Sequence, residues 1–171
     1  MAVLRVRKFP DEVLFKKTEE IRRVTDDIRK LAKDMIETMY AENGVGLAAN
    51  QVGVSKQIFV ASPDQEKGRE LVFLNPRITK KEGVIKEFEG CLSVPELFEP
   101  VKRAKRVWLK AMTLTGEEVE VKADGLLSRI FQHEVDHLNG FLIIDRLGFI
   151  KSKALRRSLS KKLGASRTVA R

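Results

Sequence analysis

Two histidines, the only ones in the chain, stand four residues apart in His133-Glu134-Val135-Asp136-His137. On a helix that spacing puts both imidazoles on one face about one turn apart, so both can ligate a single metal ion while Glu134 approaches from the side. A pair of solvated surface histidines is the competing explanation, and the match to H-E-x-x-H outweighs it. Asp136 reads as a solvated helix-face carboxylate. An open catalytic site usually has three protein ligands plus water, so a third ligand must come from elsewhere. No later histidine follows, and after Asp136 the only carboxylate side chain is Asp145. The remaining soft ligand is the single cysteine, Cys91, in Glu89-Gly90-Cys91-Leu92-Ser93. A free cysteine is commonly a buried, inert thiol. The glycine beside it and Pro95 beyond read as a shaped loop at a strand end, where a side chain can be aimed, and this favours ligation.

Elements able to hold such a site are legible in the periodicities. Ile28, Leu31, Met35 and Met39 recur at intervals of three and four, predicting an amphipathic helix from Thr25 to Tyr40. Thr25 is its cap, Asp26 and Asp27 suit its dipole, and Asn43-Gly44 is its stop. Short, partly alternating segments predict strands over 57–61, 70–75, 83–88, 106–114 and 117–122, the last two joined as a hairpin through Thr115-Gly116. A second helix from Asp124 to Asn139-Gly140 carries the histidines, and 147–163 reads as a third. Helices do not alternate regularly with strands, so an antiparallel α+β arrangement is expected rather than a doubly wound sheet. Gly44 and Gly46 open like a phosphate-binding loop, but the third glycine and the preceding strand are missing, which excludes a nucleotide cofactor. Close backbone approach to an extended peptide, with Val45 and Gly46 pairing to its main chain, explains them better.

Length and charge narrow the class. A chain of 171 residues, 43% hydrophobic and 33% charged, suits one compact core. No apolar run approaches the ~18–20 residues of a membrane span, and the start lacks a secretory signal, so the reading is cytosolic with no membrane partner. One cysteine excludes the disulfide-rich secreted class. The formal charge of +9 is confined to the end: 1–145 holds 24 basic and 24 acidic residues, whereas Arg146 to Arg171 holds nine basic residues and no acidic one. This divides the chain into a body, 1–146, and a basic C-terminal helix and tail, 147–171, polar and frayed beyond Gly164. In the tail, Leu147, Ile150, Ala154, Leu155, Leu159 and Leu163 fall at roughly helical spacing.

Three separated motifs resemble those of the peptide deformylases, in that family's order: Gly44-Val45-Gly46-Leu47-Ala48-Ala49-Asn50-Gln51, Glu89-Gly90-Cys91-Leu92-Ser93, and Gln132-His133-Glu134-Val135-Asp136-His137-Leu138-Asn139-Gly140. The resemblance covers the chain up to about Arg146. It implies mainly antiparallel sheets packed around a central helix carrying the HEVDH motif, followed by a C-terminal helix. It also implies hydrolytic removal of the formyl group from the N-terminal methionine of newly made proteins, with release of formate. Cys91, His133 and His137 would hold one divalent metal, ferrous iron in the cell, with zinc, nickel or cobalt able to occupy the site. Its water would attack the formyl carbon with Glu134 as general base and then acid, while Gln51 and the backbone N–H of Leu92 stabilise the developing oxyanion. Gly44, Val45, Gly46, Glu89 and Gly90 would border the substrate. Leu126 and Ile130, seven and three residues before His133, would line the methionine pocket with Val45 opposite and Arg129 near the same face. Arg129 departs mildly from a simpler aliphatic wall. Asn50 stands where Thr or Pro is more usual and Phe98 where several relatives carry a basic residue, both among the outer substrate contacts.

Two other readings stay open on sequence alone. An H-E-x-x-H protease cutting internal peptide bonds leaves the Glu89–Ser93 segment and Gln51 unexplained. A basic RNA-binding module with a structural metal lacks a fourth good ligand and, at 6% aromatic content, a base-stacking platform. The cationic tail could still make weak, salt-sensitive contact with ribosomal RNA, keeping a nascent-chain enzyme close to its N-formyl-methionyl substrates.

Overall fold

The computed structural model describes residues 2–95 and 97–169, with side chains described as far as Lys161. Three helices, α1 (Asp26–Ala41), α2 (Gly125–Leu138) and α3 (Phe149–Val169), accompany seven strands: β1 (Gly46–Ala48), β2 (Ile58–Ala61), β3 (Leu71–Glu82), β4 (Ile85–Gly90), β5 (Phe98–Arg103), β6 (Arg106–Met112) and β7 (Glu118–Asp124). All pairings between these strands are antiparallel. One sheet has the order β1-β2-β3-β6-β7, and β4-β5 forms a separate two-stranded sheet. The class is α+β, as the irregular succession of helices and strands predicts.

Strand β2 explains how two helices share one sheet. It is buried on both faces, and alternation sends Ile58 and Val60 into a cluster with Met35 and Met39 of α1. Phe59 and Ala61 point the other way, into a cluster with Ile130 and Phe131 of α2. There Phe59, Phe73 and Phe131 meet at centroid distances of 5.3–5.7 Å, a geometry that adds to their area burial. The histidine-bearing helix is therefore seated on the sheet by its aromatic face. Its C-terminal end is pinned as well, since the N–H and the hydroxyl of Thr18 both donate to Leu138 O at 2.9 Å. Gly140 has φ +80°, and a Cβ there would lie 2.6 Å from Phe15 O, so no other residue ends the helix in this way.

Helix α1 begins and ends as expected. Thr25 Oγ1 accepts from Ile28 N, and Asn43 takes φ +54° while Gly44 N–H reaches Met39 O and Asn43 N–H reaches Tyr40 O, a Schellman stop. Three expectations differ. Strand β3 continues through Pro76, because Asn75 adopts φ +50° and the register shifts there while the Asn75 amide exchanges hydrogen bonds with the backbone of Ile21. Strands β1 and β5 escape the sequence reading because the first is three residues long and the second carries Pro100 in a two-stranded sheet. Helix α3 starts later than expected and runs on past Gly164. Leu155 and Leu159 pack against a cluster containing Leu142 and Ile144, but Ile150 and Ala154 face solvent, so the apolar stripe is narrower than its spacing indicates. The side chain of Leu163 lies outside the described residues. Lys151 pairs with Glu99 of β5, and Arg156 pairs with Asp145. No described helix is long and apolar enough to cross a membrane.

Candidate metal centre and its cavity

Cys91 directly follows β4, in a turn closed by Val94 N–H donating to Cys91 O. That turn faces α2 and brings Cys91 Sγ to 3.2 Å from His137 Nε2, which in turn lies 3.1 Å from His133 Nε2. All three donor atoms fall within 4.8 Å of one another. Around a tetrahedral ion with ordinary bond lengths the N···N and S···N edges would be about 3.4–3.6 Å, so the two edges that meet at His137, 3.2 and 3.1 Å, need open by only a few tenths of an ångström to admit a metal. The electrostatics agree. Burial opposes a charge on Cys91, yet the facing imidazoles hold its thiol well below the ordinary value of 9.0. Burial likewise opposes protonation of His133, but Cys91 and Glu89 hold it well above 6.5. A thiolate beside two imidazoles is a soft donor set that suits a divalent late transition ion.

One of the two histidines is aimed from behind, whereas His137 Nδ1 has no partner among the described residues. His133 Nδ1 lies 3.2 Å from Glu89 Oε2, which leaves its Nε2 for the metal. Glu89 is gripped by Arg103 through a two-point contact of 3.0 and 2.9 Å. Despite burial, bonds from His133 and Arg103 bring the Glu89 carboxyl down to about 2. Asp136 corrects the sequence reading: it is shielded from solvent and bridges Arg103 to Arg146. Asn50 is also corrected, being fully buried with Nδ2 donating to His137 O, so it supports the ligand helix and touches no outer substrate position.

Glu134 is 3% exposed, and its Oε2 has no hydrogen-bond partner among the described residues. Burial lifts its carboxyl to about 7, against the pull of both histidines. Such an acid can hold or release a proton at neutral pH. Gly46 makes this position possible. A Cβ there would lie 2.4 Å from Glu134 Oε1 and 3.0 Å from Ile130 Cγ2, so the missing side chain makes room for the glutamate, a different reason from the peptide approach read from sequence.

One cavity of about 440 Å³ opens onto these groups. It is bordered on one side by Gly44, Val45, Gly46 and Gln51, and on the other by Glu89, Gly90, Cys91 and Leu92. Helix α2 supplies Leu126, Arg129, Ile130, His133 and Glu134. Of the residues given a catalytic, metal-binding or substrate-binding role from the sequence, His137 alone is not on its wall, and neither Asn50 nor Phe98, read as outer substrate contacts, lines it. Gln51 accepts from Ala48 N–H through Oε1, which turns Nε2 toward Ser93 Oγ at 3.3 Å and Cys91 Sγ at 3.9 Å. Leu92 occupies the second position of the Cys91 turn, where the N–H makes no bond within the turn.

Both strands flanking the cavity are edges. Strand β1 ends the five-stranded sheet, and Val45 O accepts from Ser62 N–H, which turns the backbone groups of Gly46 outward. Strand β4 pairs only with β5, and Phe88 stands opposite Pro100, which has no N–H. The Phe88 carbonyl accordingly points into the cavity, where Arg129 Nη1 reaches it at 3.3 Å. Sequence reasoning missed Arg103, Ser93 and Phe88; Arg103 carries no signal, since it lies among other basic residues between Lys102 and Arg106.

A polypeptide deformylase family model matches residues 3–153. The chain is 46% identical over 164 residues to a peptide deformylase of Thermodesulfovibrio yellowstonii, covering 95% of this chain and 99% of that protein. Among solved structures it resembles a peptide deformylase from Legionella pneumophila at TM-score 0.88 and 38% identity, covering 99% of both chains. It also resembles the Ehrlichia chaffeensis enzyme in complex with actinonin at TM-score 0.85 and 40% identity, covering 95% of this chain and 98% of that one.

Proposed function

Because the chain belongs to the polypeptide deformylase family and is thus a hydrolase of protein synthesis, we propose that it removes the formyl group of N-formyl-methionyl nascent chains by metal-assisted hydrolysis, in the cytoplasm. The observation that carries the mechanism is the convergence of Cys91, His133 and His137 beside a buried, unpartnered Glu134 carboxylate. Bound by those three ligands, a divalent ion supplies Lewis acidity that polarises a carbonyl oxygen and makes hydroxide available near neutral pH. Iron(II) is the proposed ion in the cell, with zinc, nickel or cobalt as replacements, since a thiolate and two imidazoles suit each of them.

Glu134 takes a proton from the attacking water and delivers it to the departing amine as the formyl C–N bond breaks and formate leaves. Gln51 Nε2 and Leu92 N–H donate to the formyl oxygen as its charge develops. The peptide lies extended between the open edges of β1 and β4, exchanging main-chain bonds with Gly46 and Gly90, and its methionine side chain enters the wall formed by Val45, Ile130, Leu126 and the aliphatic part of Arg129. Recognition through main-chain atoms tolerates varied sequences downstream. Body and basic tail divide near residue 146, and the tail makes salt-sensitive contact with the ribosome.

An anaerobic assay of formate release from formyl-Met-Ala-Ser, with metal analysis of the same sample, tests the reading. Stoichiometric metal with formate release supports it, and a metal-loaded, folded enzyme releasing no formate overturns it. Truncation after Arg146 is expected to weaken ribosome co-sedimentation while sparing turnover of this short peptide; equal co-sedimentation would reject the tail's role.

A further inference from the structure

The rim of the cavity carries a feature that formyl-methionine recognition leaves unused. Phe88 and Phe98, 57% and 64% exposed, stack on each other with centroids 5.2 Å apart and planes 20° from parallel. They are diagonal neighbours across the β4–β5 ladder, in which Phe88 pairs with Pro100 and Gly90 with Phe98. A Cβ on Gly90 would lie 3.6 Å from the Phe98 ring, so Gly90, Phe88 and Phe98 share one face of this small sheet. Glu89 points to the opposite face, toward His133 and α2.

Alternation then assigns the substrate's side chains. An extended peptide added to the open edge of β4 continues the same pleat, so its successive side chains fall on opposite faces. The methionine side chain must turn toward α2, where Ile130 and Leu126 line the cavity. The residue after methionine therefore turns to the other face, over the aromatic pair.

We propose that Phe88 and Phe98 form a platform for the second residue of the substrate, so that this enzyme favours formylated chains with a large apolar or aromatic second residue over those with a small or acidic one. This rests on the deformylase reading above and specifies its substrate class. An aromatic contact of this kind is made equally in the bound substrate and the transition state, so the preference resides in KM rather than kcat.

The test compares formyl-Met-Phe-Ser, formyl-Met-Ala-Ser and formyl-Met-Asp-Ser with metal-loaded wild-type enzyme and with Phe98→Thr and Phe88→Thr, residues that keep strand propensity. The expected result is a kcat/KM for the Phe peptide about 2- to 10-fold above that for the Ala peptide, carried by KM, and a ratio falling toward one in either variant. Metal content and the denaturation midpoint verify that the variants are folded. A wild-type ratio near one, or a ratio unchanged in both folded variants, overturns the platform. A purely structural role would lower turnover of all three peptides together and leave the ratio intact, which also overturns it. If no peptide releases formate, the deformylase reading itself fails, a result separate from any loss of preference.

Discussion

Substituting Gly46 by Ala isolates the placement of Glu134 from its chemistry. The added Cβ would sit 2.4 Å from Glu134 Oε1, 3.0 Å from Glu134 Cδ and 3.0 Å from Ile130 Cγ2. An ordinary carbon–oxygen contact is about 3.3 Å, so the carboxylate must retreat by about 0.9 Å. Ile130, itself 3.0 Å from the added Cβ, must give way as well. A misplacement of this size costs about 100-fold in rate, or about 2.7 kcal/mol of barrier, when the displaced group moves the proton. The three proposed metal ligands are untouched, and alanine suits an extended strand, so metal content and stability should stay close to wild type. Stopped-time formate assays under saturating peptide, with metal analysis on the same samples, would measure this. Gly44→Ala is the control, since its Cβ comes tightly only on the flexible Leu92 Cδ1 tip at 3.1 Å, with Gly46 O and Met39 O at an ordinary 3.4 Å, and should cost far less. A Gly46→Ala enzyme with full metal and a kcat within about threefold of wild type would show that Glu134 does not need this position.

Further outcomes follow from the groups around the site. Glu134→Ala should keep its metal and lose about 10²-fold or more of turnover, whereas Cys91→Ala should lose metal as well; retained activity in the first would exclude Glu134 as the proton carrier. Arg103→Met takes the guanidinium from buried Glu89 and leaves Asp136 to Arg146 alone, and should destabilise the metal-loaded protein by about 3–5 kcal/mol in urea titrations, with a shift under about 1 kcal/mol counting against the network. Hydrogen bonding from Lys30 and from Ala2 N–H holds the Asp34 carboxyl below its ordinary 3.8. Its stabilisation is thus complete above that value and is lost as pH falls through the folded value. Amide exchange of the first residues should accelerate below about pH 3.8 in the wild type and lose this dependence in Asp34→Asn; identical profiles would refute it.

What the sequence disclosed follows from physical range. Helix α1 was readable to within a residue because its stripe, its Thr25 cap and its Asn43-Gly44 stop are all local signals. The three motifs brought together in space were readable because ligand chemistry restricts residue type so sharply. Strand β5 was not, since a strand containing Pro100 is permitted only by the absence of a neighbour on that side, which is a tertiary fact. Asp136 and Arg103 were missed for the same reason. A charged side chain on a helix reads as solvated unless its partners, here on β5 and after α2, are known to converge on it.

The attachment of α2 to Thr18, 120 residues away, sets the order in which this molecule becomes competent during its own synthesis. The thiol leaves the ribosome 46 residues ahead of the second imidazole, an interval of roughly 2 to 9 s at ordinary elongation rates. For the first 42 of those residues the growing chain owns a lone soft ligand, so on the proposed reading each copy stays inert until α2 has emerged. On that reading, nascent substrates would be served meanwhile by copies finished earlier.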